Sequence, residues 1–186
     1  MNENESEAII SQIRCWVKSV IIDLNFCPFA RRVYEDDAIH YRPVAETALP
    51  ACLHALVDEC IALDKQDRFE TSLLIFPQAF SRFDDFLDFI ELANALLIER
   101  GYEGVYQLAH FHPHYCFAGV SEDDASNYTN RSPWPMLHLI REASLEQALQ
   151  SFPDPENIPE RNIKLAREKG SKTLQALLDA CYQARK

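Results

Sequence analysis

The run Thr71-Ser-Leu-Leu-Ile-Phe76, closed by Pro77, constrains the fold more than any other stretch of this chain. It is short, continuous and apolar. A strand covered on one face alternates apolar and polar residues, whereas a run without alternation is the mark of a strand buried on both faces, as at the centre of a parallel sheet. Such a strand needs helices or further layers on both sides.

The flanking sequence supplies them. Residues 47–65 read as a helix with Leu49, Leu53, Leu56, Cys60 and Leu63 on one stripe and Pro50 tolerated in the first turn. Residues 81–100 read as a second, capped by Ser81, ended by Gly101, and striped by Phe83, Phe86, Leu87, Ile90, Ala93 and Leu97. Strands are expected over 38–44 and from Val105 to about His112. Strand–helix–strand–helix–strand, with long crossovers, predicts parallel β-α-β units. The expected fold is therefore α/β: a small, mainly parallel three- or four-stranded sheet flanked by helices. A ferredoxin-like α+β arrangement is the alternative, should Tyr115–Val120 form a fourth strand.

The N-terminus predicts a helix over 5–25, with Ile9, Ile13, Trp16, Val17, Val20 and Leu24 on one face and an Asn4/Glu7 capping box, stopping before Cys27-Pro28. Pro135 is expected to open a helix to about Glu142, and Ser144 another to about Phe152. Beyond the PDPENIPE linker, Pro159 and Ser171 open two more. The division expected is an α/β domain over 1–152 and a helical extension over 153–186 packed on it.

A formal charge of −11 argues against nonspecific binding of nucleic acid or anionic membrane. No apolar run reaches the roughly 18 residues of a membrane span, and the acidic, polar start MNENESEAIISQ is unlike a secretory signal. The expected location is the cytoplasm, where six scattered cysteines are free thiols. With four glycines, dispersed, the chain has no Gly-rich phosphate loop and no dinucleotide fingerprint.

Candidate site residues come from the strand ends. Each expected strand meets a proline, at Arg42-Pro43, Pro77-Gln78 and His112-Pro113. In open α/β sheets ligands bind at the carboxyl ends of strands, so parallel strands would bring Arg42, Gln78 and His112 to one edge. His110, His112, His114 and Cys116 share one strand parity and are plausible metal ligands. Residues two apart on a strand, however, are separated by roughly 6.5–7 Å, so one ion cannot take all of them without a kink. The loop 121–133 has no apolar period; its end, Asn130-Arg131-Ser132-Pro133, joins an arginine to an expected helix N-terminus, a natural anion site. The alternative is that Arg131 pairs with Asp123 or Asp124. Cys27 lies beside Arg31 and Arg32, cations that lower a thiol pKa; the blander reading makes it a core plug.

Taken together, CPFA with its arginine (Cys27 to Arg31), FHPHYCF (Phe111 to Phe117), DDASNYTNRSPWP (Asp123 to Pro135), MLHLIREAS (Met136 to Ser144) and PERN (Pro159 to Asn162) resemble a family of bacterial proteins catalogued as domain of unknown function 1415. The resemblance spans nearly the whole chain. It implies no established activity and no known cofactor. It keeps His112 in the motif without requiring His110, His114 or Cys116, and it points to Cys27, Arg31, His112, Asn130 and Arg131, with His138 behind them.

The leading expectation is a site for a small anionic molecule: His112 as acid/base, Arg131 and Arg31 on the anion, Asn130 orienting an oxygen, Arg42 and Gln78 nearby, and Cys27 as nucleophile if within reach of His112. One alternative is a metal-dependent enzyme with His112 as ligand. The other is a noncatalytic interaction module presenting Phe80, Tyr128, Trp134 and the C-terminal helices. The oligomeric state is left open.

Overall fold

The computed structural model describes residues 1–184. Its centre is a four-stranded sheet of order β1-β2-β4-β3, made of β1 (Ile39–Pro43), β2 (Thr71–Ile75), β3 (Tyr106–Phe111) and β4 (Met136–Arg141). All of β2 is buried, as its unbroken apolar run requires. β1 pairs parallel to β2, with His40 beside Ser72.

The expectation of a mainly parallel sheet is corrected by β4, which is antiparallel to both β2 and β3. Residues 136–141 were expected to be helical because Pro135 suits a helix N1 position. Met-Leu-His-Leu-Ile-Arg is in fact the same signal as Thr71–Phe76, a short apolar run too brief for periodicity to separate strand from helix. Met136, Leu137 and Leu139 are all fully buried. Insertion between β2 and β3 satisfies the backbone on both sides of β4, which a helix there would not do for its neighbours. Residues 115–120, proposed for a fourth strand in the ferredoxin-like alternative, are irregular over 115–117 and turn at 118–119 instead.

β1, β2 and β3 still point the same way, since β4 reverses direction once on each side. Their carboxyl ends share one end of the sheet. Helices α3 (Leu49–Lys65) and α4 (Phe83–Glu99) cover one face over Leu74, Leu137 and Leu139. The opposite face packs Leu73, Ile75 and Met136 against α1 (Glu3–Trp16), a π-helical stretch (Val17–Ile22), α6 (Ile158–Lys169) and α7 (Ser171–Tyr182). Ala166, Leu174, Leu178 and Cys181 belong to that core, so the C-terminal helices help to close the sheet; residues 185–186 of the expected extension lie outside the described ones. The remaining helices are short: α2 (Ala30–Glu35) and α5 (Glu142–Gln150). The N-terminal capping box forms two residues early, on Asn2 and Glu5. Among the described residues no helix is long and apolar enough to cross a membrane.

Because β4 is central, Leu139→Ala should cost roughly 2–5 kcal/mol, the range for a truncated core leucine, measured by urea unfolding. A loss below about 1 kcal/mol, typical of surface positions, would contradict the strand's placement.

Candidate functional site

His112 leaves β3 where Pro113 turns the chain, and it is fully buried. Its Nδ1 accepts the His114 backbone N–H at 3.0 Å. The proton therefore sits on Nε2, which donates to the Phe80 carbonyl at 2.8 Å. Phe80 has φ +57°, an uncommon conformation for a bulky residue, and its ring stacks on Phe89 at 4.3 Å. His112 thus ties the exit of β3 to the strained turn after β2. Neither ring nitrogen is left over for a substrate or metal in this arrangement.

Asn130 has a similar role. Its carbonyl accepts the His112 N–H at 3.2 Å, and its side-chain amide donates to the His110 carbonyl at 3.3 Å. Arg131 donates from Nε to the Tyr115 carbonyl at 3.1 Å and from Nη2 to the Glu122 carbonyl at 2.8 Å. Its guanidinium lies 4.6 Å from the centre of the Tyr128 ring. Asp124 pairs with Arg167 at 3.0 Å instead of with Arg131. The loop expected to lack structure is ordered around buried Asn127, which accepts from the Phe117 N–H at 3.0 Å and donates to the Ser121 carbonyl at 2.8 Å. Residues 125–129 form a 3-10 turn.

Cys27 packs against the core on the α1 side of the sheet, whereas the His112 ring lies tilted against Phe83 and Phe86 of α4 on the other side. The structure does not bring the two together. Burial pushes the Cys27 thiol up, opposed by the Phe29 and Ala30 backbone N–H groups and by Arg161. Arg31 pairs along α2 with Glu35 at 3.7 Å, and Gln78 is exposed. The PERN residues bind the turn before Pro28: Arg161 donates to the Asn25 carbonyl at 2.5 Å and Asn162 to the Phe26 carbonyl at 2.6 Å. Trp134 and Tyr128, expected on a partner surface, bond inward to Gln12 and Gln175. His110 stacks on Tyr115 with its Nδ1 buried and unbonded, and Cys116 faces the Val120 carbonyl. Among the described residues no three His, Cys, Asp or Glu side chains are grouped to hold a metal.

The side chains with chemistry to spare lie on β1. Alternation turns Ile39 and Tyr41 toward the α1 face and His40 and Arg42 toward α3. There Glu59 sits on the buried stripe of α3 between Leu56 and Cys60, its side chain 1% exposed. Glu59 Oε1 accepts His40 Nδ1–H at 2.5 Å and Ser72 Oγ–H at 2.5 Å, and Oε2 accepts Arg42 Nη1–H at 2.9 Å. Burial would raise this carboxyl, but the bonds from His40, Ser72 and Arg42 outweigh it and hold it at about 2. Phe69 lies against the His40 ring, centroids 4.7 Å apart. His40 and Arg42 side chains remain about one-third exposed, at 33% and 32%. Among the described residues, His40 Nε2 and the Nε and Nη2 of Arg42 make no hydrogen bond. Arg42 was expected from sequence; His40 and Glu59 were not. Their signal was present: an acid inside an apolar helical stripe, and a His-x-Arg pair on one parity of the preceding strand.

Burial holds His110, His112 and His138 below the ordinary histidine range, His138 at about 4. The unfolded chain takes up these protons near pH 6.5, while the folded chain resists them. Their stabilising contribution is thus complete above that value and is lost as pH falls toward 4. Urea midpoints should fall between pH 7.5 and 4.5, and His112→Ala, which orphans the Phe80 carbonyl and the His114 N–H, should cost roughly 1–3 kcal/mol per unsatisfied group at pH 7.5. A flat pH profile would contradict this burial.

The comparisons with known proteins agree with the motif resemblance. A family model described as "Protein of unknown function (DUF1415)" matches residues 8–176. No curated protein and no solved structure matches the chain. Since the match takes in every strand of the sheet and most of both covering layers, the chain belongs to the family of proteins of unknown function DUF1415.

Proposed function

We propose that the domain binds a small carboxylate- or phosphate-bearing molecule at the His40–Arg42 surface and transfers a proton there through His40. The observation that carries this is the open Nε2 of His40, whose other ring nitrogen is held at 2.5 Å by the buried Glu59 carboxylate. A carboxylate on one imidazole nitrogen fixes the tautomer and the ring orientation and leaves the second nitrogen as the working atom. Arg42 spends Nη1 on Glu59 and Ala55, so the rest of its fork is available to an anion. Ser72 donates to the same Glu59 oxygen, and Phe69 lies against the His40 ring.

This keeps the anionic ligand and the acid/base histidine expected from sequence and moves them from the β3 exit to β1. His112 and Arg131 then act as fasteners of the frame. The metal-dependent alternative gains no support from His112, since both ring nitrogens are already bonded to backbone.

Titration of the protein with inorganic phosphate, citrate and a nucleoside monophosphate, followed by the side-chain nitrogen resonances of His40, tests this directly. At least one probe should shift Nε2 of His40 saturably and leave His112 unchanged. Arg42→Lys loses the planar fork and should weaken that probe about 10-fold, or 1.4 kcal/mol. Saturable binding that shifts His112 and spares His40 would overturn the assignment.

Glu59→Gln should destabilise the fold by roughly 3–5 kcal/mol, as for a buried ion pair broken on one side. A loss under about 1 kcal/mol in urea unfolding would show that Glu59 is not the charged centre of this cluster.

A further inference from the structure

The two edge strands of the sheet are β1, which carries the proposed anion site, and β3. On β3 the hydrogen bonds alternate. Glu142 N–H donates to the Val105 carbonyl at 3.0 Å, so in the antiparallel ladder residues 105, 107, 109 and 111 face β4. The even-numbered residues face outward. At one end Tyr106 N–H is taken by the Tyr102 carbonyl at 3.2 Å. At the other, Asn130 takes the His110 carbonyl and the His112 N–H. Between these blocked ends lie the Tyr106 carbonyl, both backbone groups of Leu108, and the His110 N–H. Among the described residues nothing bonds to them.

Exposed strand edges are usually blunted by lysine, proline or a covering element, because they template pairing with another chain. The β3 sequence Tyr-Gln-Leu-Ala-His-Phe carries neither. Beside its open stretch runs a groove of about 190 Å³ between β3 and α4, lined by Leu97, Ile98, Tyr102 and Leu108. Ile98 is 58% exposed and the adjoining Val105 41%. The charged residues lining the groove are Glu103 and Glu142, with no lysine or arginine among them. An apolar floor, free backbone pairing groups and an acidic rim together define what fits.

We infer that the open edge of β3 docks an extended peptide segment that pairs with Leu108 as an added strand, places alternate apolar side chains over Ile98 and Leu108, and sets lysines or arginines against Glu103 and Glu142. Strand addition of this kind takes affinity from backbone hydrogen bonds and selectivity from alternate side chains. Charge selects the occupant: a second copy would bring its own −11 charge and the same two glutamates to the contact, whereas a basic segment is attracted.

The test uses the full chain, uniformly nitrogen-15 labelled, with two synthetic probes: acetyl-Arg-Val-Lys-Val-Thr-Val-Lys-Arg-amide and its acidic counterpart acetyl-Glu-Val-Glu-Val-Thr-Val-Glu-Glu-amide. The basic peptide should bind saturably, give its largest amide shifts at Leu108 and His110, and slow hydrogen exchange there. The acidic peptide should bind at least about 10-fold more weakly at low salt. Leu108→Pro removes an outward donor that an edge strand can lose and should abolish binding. The pair Glu103→Lys and Glu142→Lys, which leaves the backbone untouched, should weaken the basic peptide by about 10-fold. Equal binding of both peptides, shifts centred away from β3, or no saturable binding by about 1 mM would overturn the inference. So would a concentration-dependent dimer in ultracentrifugation that Leu108→Pro dissolves, since the occupant would then be a second copy.

Discussion

A carboxylate on the apolar stripe of a helix that faces a sheet must find partners or lose its charge. Glu59 keeps its charge with bonds from His40, Ser72 and Arg42. That constraint reaches far. His40 and Arg42 must share a face of β1, which fixes which side of that strand meets α3. Ser72 must stand beside His40, which is the register observed between β1 and β2. The β1–α3–β2 crossover is thereby held by a polar centre as well as by its leucines. The same geometry leaves His40 and Arg42 partly open to solvent, so a structural requirement creates a surface with oriented donors and a free imidazole nitrogen.

Elsewhere the polar residues work inward. His112, Asn130, Arg131, Asn127 and Asn162 each bond backbone carbonyls or N–H groups of neighbouring turns. Together they fasten the turn after β2, the exit of β3, the 3-10 turn and the segment before α2. A dense cluster of histidine, asparagine and arginine in sequence therefore marks a set of fasteners here. What separates such a fastener from a binding group is the count of unspent donors and lone pairs, and by that count β1 exceeds the β3 exit.

Much of the frame was legible in the residues. Three strands and the helices between them follow from apolar runs and from stripes at helical spacing, and the shared direction of β1, β2 and β3 followed from their long crossovers. β4 was not legible as a strand. Its six residues carry no periodicity, and Pro135 fits a helix start as well as a strand flank, so only the vacancy between β2 and β3 decides. The candidate site was half legible: Arg42 came from its place at a strand end. Glu59 lay in plain view as an acid among Leu56, Cys60 and Leu63, yet a stripe read for its apolar members hides the one polar member that matters. The order of the 121–133 loop was hidden for a different reason, because Asn127 and Arg131 satisfy carbonyls that no pattern in sequence pairs with them.

The Glu59 carboxylate holds His40 by Nδ1. Proton–nitrogen correlation spectra of the imidazole side chains at neutral pH report the tautomer of each histidine. The prediction is that the neutral form of His40 carries its proton on Nδ1, that His112 carries its proton on Nε2, and that Glu59→Gln releases His40 toward the Nε2–H form. A wild-type His40 already in the Nε2–H form, or one whose tautomer ignores Glu59→Gln, would contradict it.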